Sequence, residues 1–220
     1  MQSKLYLIRH GQSTYNLENR FTGWKDVDLT NLGQNQAIEA SKLLTGHTFD
    51  LAFTSNLLRA QKTLDIILSN LNCNIPIHRN EALNERDYGD LVGQNKAEAA
   101  EKFGKEQVQI WRRSFDTPPP NGESLEMTLN RTLPYFNTII KPKLSDGKNI
   151  ILSAHGNSIR SIVMDLFKYS PEEILKTEIG WCEPIICTFD QNLSMIDFEC
   201  IPRQSEESKS NFPKSLKSSN

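Results

Sequence analysis

The chain has 220 residues, with Lys+Arg 25 against Asp+Glu 27, a formal net charge of -2 and 37% hydrophobic residues. That length supports one full hydrophobic core, and the balanced charge argues against a sequence-independent nucleic-acid binder, which carries a basic excess. No apolar run approaches the roughly 18 residues of a membrane helix, and the first residues lack a secretory pattern, so the expectation is a cytoplasmic protein with no membrane partner.

Residues 5–8 are a short apolar run closed by Arg9-His10-Gly11, which reads as a buried strand feeding a loop. Residues 33–44 carry Ala37, Ala40, Leu43 and Leu44 at helical spacing, with Thr30 and Asn31 as capping candidates. Leu51-Ala52-Phe53 reads as a strand ending in Thr54-Ser55, and residues 57–71 as an amphipathic helix. Ile75-Pro76-Ile77-His78 is edge-like, because proline brings no donor to a ladder. Residues 94–114 read as helical, broken near Gly104, and the prolines of 117–122 break the chain again. Ser124 can cap a helix on which Leu125, Leu129, Leu133, Phe136 and Ile140 keep the period, with Pro134 expected to kink it or shift its start. Residues 149–153 form a strand ending in His155-Gly156-Asn157, followed by a helix over 158–167. Two late strands, 185–189 and 195–198, meet in a hairpin at Gln191-Asn192.

Alternating strands and helices imply an α/β domain over residues 1–202, with a mainly parallel central sheet flanked by helices on both faces. Residues 203–220 are rich in Ser, Lys and Asn and read as a flexible tail. Cys73, Cys182, Cys187 and Cys200 are scattered, form no CxxC pair and have no histidine at ligand spacing, so reduced thiols and no metal site are expected.

Two strand ends share one form, Arg9-His10-Gly11 and Ala154-His155-Gly156. The C-terminal ends of parallel strands lie on one edge of a sheet, where ligands bind, so both histidines are expected at one site. A neutral imidazole can act as a nucleophile, and phosphoryl transfer needs positive groups around the transferring oxygens. Arg9 and Arg59 can supply guanidinium forks there, although either arginine alone would read as a surface residue.

The segment Arg9-His10-Gly11-Gln12-Ser13 resembles the RHG signature of the histidine phosphatase superfamily. Phe21-Thr22-Gly23-Trp24, Glu85-Arg86-Asp87-Tyr88-Gly89, Trp111-Arg112-Arg113 and His155-Gly156-Asn157 narrow the resemblance to the 2,3-bisphosphoglycerate-dependent phosphoglycerate mutase family, over roughly residues 4–190. The resemblance implies His10 as the phosphohistidine nucleophile, Glu85 as proton donor and acceptor, and His155 as the residue that steadies the transferring phosphoryl, with Arg9 and Arg59 beside them. It implies substrate contacts at Gly11, Gln12, Ser13, Thr14, Tyr15, Asn16, Thr22, Gly23, Arg86, Asp87, Tyr88, Lys96, Arg112, Arg113, Gly156 and Asn157. It also implies a cycle between 3-phosphoglycerate and 2-phosphoglycerate primed by 2,3-bisphosphoglycerate, without a metal.

Three departures stand out. The segment 115–124 bridges two helices directly where long-form relatives carry an insertion, which weighs against the usual homodimer. Ile179-Gly180-Trp181-Cys182-Glu183-Pro184 replaces a smaller Thr-Gly-Val-Pro-like loop, and Gln12 replaces a common Glu. A phosphatase of the same superfamily would share His10, Arg9, Arg59 and His155; Tyr88, Lys96, Arg112 and Arg113 favour the mutase. A catalytically idle binding protein on this fold would have lost a core residue, and none is missing.

Overall fold

Leu5 and Leu7 pack into one apolar cluster and Tyr6 and Ile8 into another, so the first strand is covered on both faces. Successive side chains of a strand point to opposite faces, and two buried faces require a layer of helices on each. The computed structural model describes residues 2–204 and 208–213. Its elements run β1 (Ser3–Arg9), α1 (Thr14–Leu17), α2 (Asn31–Leu43), β2 (Leu51–Thr54), α3 (Leu58–Asn70), β3 (Ile77–Arg79), α4 (Lys96–Phe103), α5 (Lys105–Arg113), α6 (Leu125–Tyr135), α7 (Lys141–Ser145), β4 (Ile150–Ala154), α8 (Gly156–Phe167), α9 (Pro171–Lys176), β5 (Ile185–Phe189) and β6 (Met195–Cys200).

The strands form one sheet in the order β3-β2-β4-β1-β5-β6. β3, β2, β4 and β1 are parallel, whereas β5 runs antiparallel to β1 and β6 antiparallel to β5. One face buries Ala52, Ile151 and Ile186 with Ala37, Ala40, Leu64 and Ile67 of α2 and α3. The other buries Phe53, Leu152 and Ile185 with Leu125 of α6 and Ile159, Ile162 and Val163 of α8. The architecture is therefore a three-layer, mainly parallel α/β/α fold.

Thr30 caps α2 by accepting from the Gly33 N–H at 3.0 Å, so Asn31 is the first helical residue and not the cap. Pro76 lies outside β3, which begins at Ile77 on the sheet edge. Pro134 lies inside α6, and a π-helical segment, Phe136–Ile140, follows it before α7. Proline has no N–H, so Pro134 cannot donate to the carbonyl four residues back, that of Asn130. α8 begins at Gly156, two residues before the expected start, with His155 as its N-cap. The sequence reading has no counterpart of α1 or α9. Both carry a capping box, Ser13 with Asn16 and Ser170 with Glu173, and the latter is an S-x-x-E signature visible in the sequence.

The described residues of the stretch read as a tail pack against the domain. Arg203 is 2% exposed, and its Nε–H donates to the Trp181 carbonyl at 2.6 Å. Asn211 exchanges backbone hydrogen bonds with Glu178, and the Phe212 ring stacks on Phe167. Residues 205–207 and 214–220 of that stretch lie outside the described residues.

Candidate active site

β4 lies between β2 and β1, and all three are parallel, so the residues after them meet at one edge. Arg9 pairs with Ala154, and Thr54 with Ser153. The next residues are His10, His155 and Ser55. The two imidazoles are buried, with ring centroids 5.0 Å apart.

His10 Nδ1 lies 2.7 Å from the Gly11 carbonyl oxygen, which can only accept, so the proton sits on Nδ1. The Arg59 Nε–H donates to His10 Nε2 at 3.4 Å, which agrees with a lone pair there. Burial, then Arg59 and Arg9, holds His10 well below the usual imidazole range, against the pull of the Gly11 hydrogen bond. His10 is thus a neutral imidazole with a nucleophilic Nε2. α2 packs directly against Gly11, where a Cβ would overlap the Gly33 carbonyl oxygen.

His155 Nε2 lies 2.7 Å from Ser55 Oγ, which already accepts from the Leu57 N–H at 3.2 Å. This contact fixes the orientation of the His155 ring, and which partner donates follows from the tautomer. The buried His155 Nδ1 has no hydrogen-bond partner among the described residues. Burial, then Arg59, His10 and Arg9, depresses His155 well below the usual range as well.

Arg59 is 1% exposed and is held by the carbonyls of Gly23 at 2.9 Å and Lys25 at 3.1 Å. Burial lowers it to about 10, so it stays charged near neutral pH. Arg9 donates from Nη1 to the Ile179 carbonyl at 2.8 Å and lies 5.5 Å from the Trp181 ring centroid. Its buried Nε–H is unpartnered among the described residues.

Glu85 Oε1 accepts from the Arg86 N–H at 2.8 Å, the Asn157 N–H at 3.1 Å and the Asn157 side-chain amide at 2.9 Å. Burial opposes its ionisation, but these bonds and the Arg59 and Arg9 guanidiniums outweigh it, and the carboxyl is held below its usual range. The Glu85 backbone is fixed too. Its carbonyl accepts from Trp24 Nε1 at 2.6 Å and from Arg131 at 2.8 Å.

Arg9, His10, Asn16, Thr22, Arg59, Glu85, Arg86, Tyr88, Lys96, Arg112, Arg113, Gly156 and Asn157 all line one cavity of about 160 Å³. Asn16 Oδ1 is spent on the Ser13 N–H and hydroxyl, both at 3.0 Å, which leaves its amide hydrogens for the cavity. Arg86 is buried, stacks over Tyr88 and donates to its hydroxyl at 2.9 Å. Arg86 holds the Tyr88 phenol below its ordinary value despite burial.

Other residues of the sequence reading lie outside the cavity lining. Gly11 and Gly23 act through carbonyls that hold His10 and Arg59. The Gln12 N–H donates to Gln36 and its side chain accepts from Thr30. Ser13 caps α1, which Thr14 opens, and Tyr15 lies beneath the Arg20 guanidinium. Asp87 accepts from the Gly89 N–H within its own turn. The cavity also takes Arg20, Phe21, Arg160, Glu178 and Ile179, which the sequence reading did not select. Arg160 was findable, since it lies three residues past Asn157 on one helix face. Glu178 carries no local signal. Among the described residues no group of His, Cys, Asp and Glu is arranged to hold a metal ion, and no helix is long and apolar enough to cross a membrane.

The arrangement offers a neutral nucleophile, a carboxylate and a cationic wall, which suits transfer of a phosphoryl group. The profile of the histidine phosphatase superfamily, branch 1, matches residues 5–197. The chain is 56% identical over 185 residues to a 2,3-bisphosphoglycerate-dependent phosphoglycerate mutase of Nitrobacter hamburgensis, covering 83% of this chain and 89% of the relative. It is 50% identical over 204 residues to one of Parvibaculum lavamentivorans, covering 91% and 97%. Among solved structures, Bacillus stearothermophilus YhfR superposes with a TM-score of 0.78 at 23% identity, covering 90% of this chain and 95% of that one, a likeness of fold.

Proposed function

Since this chain belongs to the 2,3-bisphosphoglycerate-dependent phosphoglycerate mutase family of the histidine phosphatase superfamily, we propose that it interconverts 3-phosphoglycerate and 2-phosphoglycerate through a phosphohistidine. The observation that carries this reading is the neutral His10, its Nε2 free of a proton, in a cavity lined by Arg9, Arg59, Arg86, Lys96, Arg112 and Arg113.

His10 Nε2 holds the phosphoryl group and passes it to a substrate hydroxyl. The N–P bond breaks as the O–P bond forms, and the hydroxyl proton goes to the ionised Glu85. Three hydrogen bonds occupy Glu85 Oε1, so Oε2 is the oxygen that takes the proton. For the return transfer Glu85 gives that proton back to the leaving oxygen. The unpartnered Arg9 Nε–H, Arg59 and the Asn16 amide donate to the phosphoryl oxygens as charge shifts between donor and acceptor, with His155 packed beside His10. Arg112 and Arg113 hold the far anionic group, since guanidinium forks fit carboxylate and phosphate alike. Tyr88, Lys96, Thr22, Gly156 and Asn157 complete the substrate contacts.

The residues present also fit 2,3-bisphosphoglycerate, because the orphaned buried Nε–H donors of Arg9 and Arg86 ask for anionic oxygens. When bound, that group supplies the phosphoryl that primes His10. The setting we infer is the cytoplasm, and the short 115–124 bridge weighs against a homodimer.

A coupled assay for 2-phosphoglycerate formed from 3-phosphoglycerate, with and without 2,3-bisphosphoglycerate, tests the reading. Isomerisation stimulated by the bisphosphate is expected; phosphate release without 2-phosphoglycerate makes the protein a phosphatase instead.

A further inference from the structure

Two carboxylates line the cationic cavity, and only Glu85 has a part in the transfer chemistry. The other, Glu178, is placed like a ligand. Its Oε1 accepts from Arg113 Nη1 at 2.7 Å and its Oε2 from Arg160 Nη2 at 2.8 Å. One carboxylate thus spans two guanidiniums, as a bound phosphate or carboxylate would. Arg160, Arg113 and Arg9 hold Glu178 below the usual carboxylate range despite the opposing effect of burial, so it is ionised.

The two arginines differ in how firmly they are held. Arg160 Nε donates to the Thr177 carbonyl at 2.7 Å and Nη1 to Asn157 Oδ1 at 3.3 Å, and its side chain is 13% exposed. Arg160 is anchored with or without Glu178. Arg113 stands at the last position of α5, its side chain is 40% exposed, and Glu178 is its one hydrogen-bond partner among the described residues. The Glu178 backbone is itself fixed, exchanging hydrogen bonds with Asn211 at 2.9 Å in both directions. The Arg113–Glu178 pair therefore joins the end of α5 to a fixed loop across the cavity.

We propose that Glu178 is a resident anion of the site. In the free protein it occupies Arg113, and an incoming anionic group must take Arg113 from it. Glu178 then stays in the cavity as a like charge beside the ligand. Its presence weakens anion binding, and more so for a ligand with two phosphoryl groups than for one with a single group, because the repulsion grows with ligand charge. Glu178 is by this inference a specificity-determining residue that keeps the doubly phosphorylated ligand from binding too tightly. The identity of that ligand rests on the proposed function, whereas the competition for Arg113 does not.

The test measures binding of two probes, inorganic phosphate and pyrophosphate, to the unphosphorylated protein by calorimetry at low ionic strength. Glu178→Gln keeps the shape and removes the charge. A half-exposed ion pair is weak, so the expected gain is about threefold for phosphate and about fivefold for pyrophosphate, shrinking as salt is added. Arg113→Gln weakens binding of both, and in that background Glu178→Gln loses most of its gain, since the group competed for is gone. Equal or weaker binding by a folded Glu178→Gln protein overturns the proposal and makes the pair a plain strut. Should that variant not fold, Glu178→Ala read against Arg113→Gln gives the same comparison. Failure of the mutase reading is separate: it shows as wild-type protein that forms no 2-phosphoglycerate while the probes still bind more tightly to Glu178→Gln.

Discussion

Arg131 Nη2 donates to the carbonyl of Glu85 at 2.8 Å and to that of Asn84 at 3.0 Å, so one nitrogen of α6 pins the backbone that carries the carboxylate. The same guanidinium reaches the Ala82 carbonyl at 3.0 Å and pairs with Glu123 at 2.7 Å, with both side chains largely shielded from solvent. Glu123 in turn accepts from the Asp87 N–H at 2.9 Å. A single arginine thus sets the path of residues 82–87, although it does not line the cavity itself.

Arg131→Ala leaves Glu123 and several carbonyls without a partner, and a loss of about 3 kcal/mol in unfolding free energy is expected. Arg131→Lys keeps the charge for Glu123 but cannot serve all the carbonyls. Denaturant unfolding with steady-state kinetics checks this: the lysine variant recovers most of the stability while kcat stays depressed. Full recovery of both would mean that only the charge matters.

Ser55 acts on His155 through one buried hydrogen bond of 2.7 Å. Ser55→Ala removes the hydrogen-bond partner that orients the His155 ring through Nε2. At about 1.4 kcal/mol for such a bond, kcat falls about tenfold. The KM for 3-phosphoglycerate changes little, since Ser55 does not line the cavity. An unchanged kcat would remove Ser55 from the account of His155.

Both site histidines are neutral in the folded protein because burial and Arg59 hold them well below the model-peptide value of 6.5. An unfolded chain takes up protons on both as pH falls through that value, and the folded chain does not. Stability therefore rises with pH up to about 6.5 and falls below it, by up to about 1.4 kcal/mol per pH unit for each histidine. Urea unfolding between about pH 7 and about pH 5 reads this slope, and His10→Asn or His155→Asn should each remove one share of it. Equal stability across that range in the wild type would mean that the histidines titrate normally.

Much of the site was legible because it follows the sheet. His10 and His155 end neighbouring parallel strands, and a repeated His-Gly after an apolar run announces that in the sequence. Ser55 follows the third strand, and its hydrogen bond to His155 carries no local signal. Arg160 and Glu178 escaped because their pairing depends on how the chain after α9 returns to α8, which no local spacing records. The stretch from residue 203 looked loose by composition, yet Arg203 and Phe212 find buried partners supplied by distant elements. Pro134 was visible as a disturbance, but a π-helical turn is set by packing beneath it, where Phe136 and Ile140 are fully buried.

The most direct measurement is the fate of a phosphoryl label carried from labelled 2,3-bisphosphoglycerate to the protein. The expected label is acid-labile and alkali-stable, maps to His10, and is absent from a folded His10→Ala protein. An acid-labile label that persists in His10→Ala would contradict the assignment of His10 as the residue that holds the phosphoryl group.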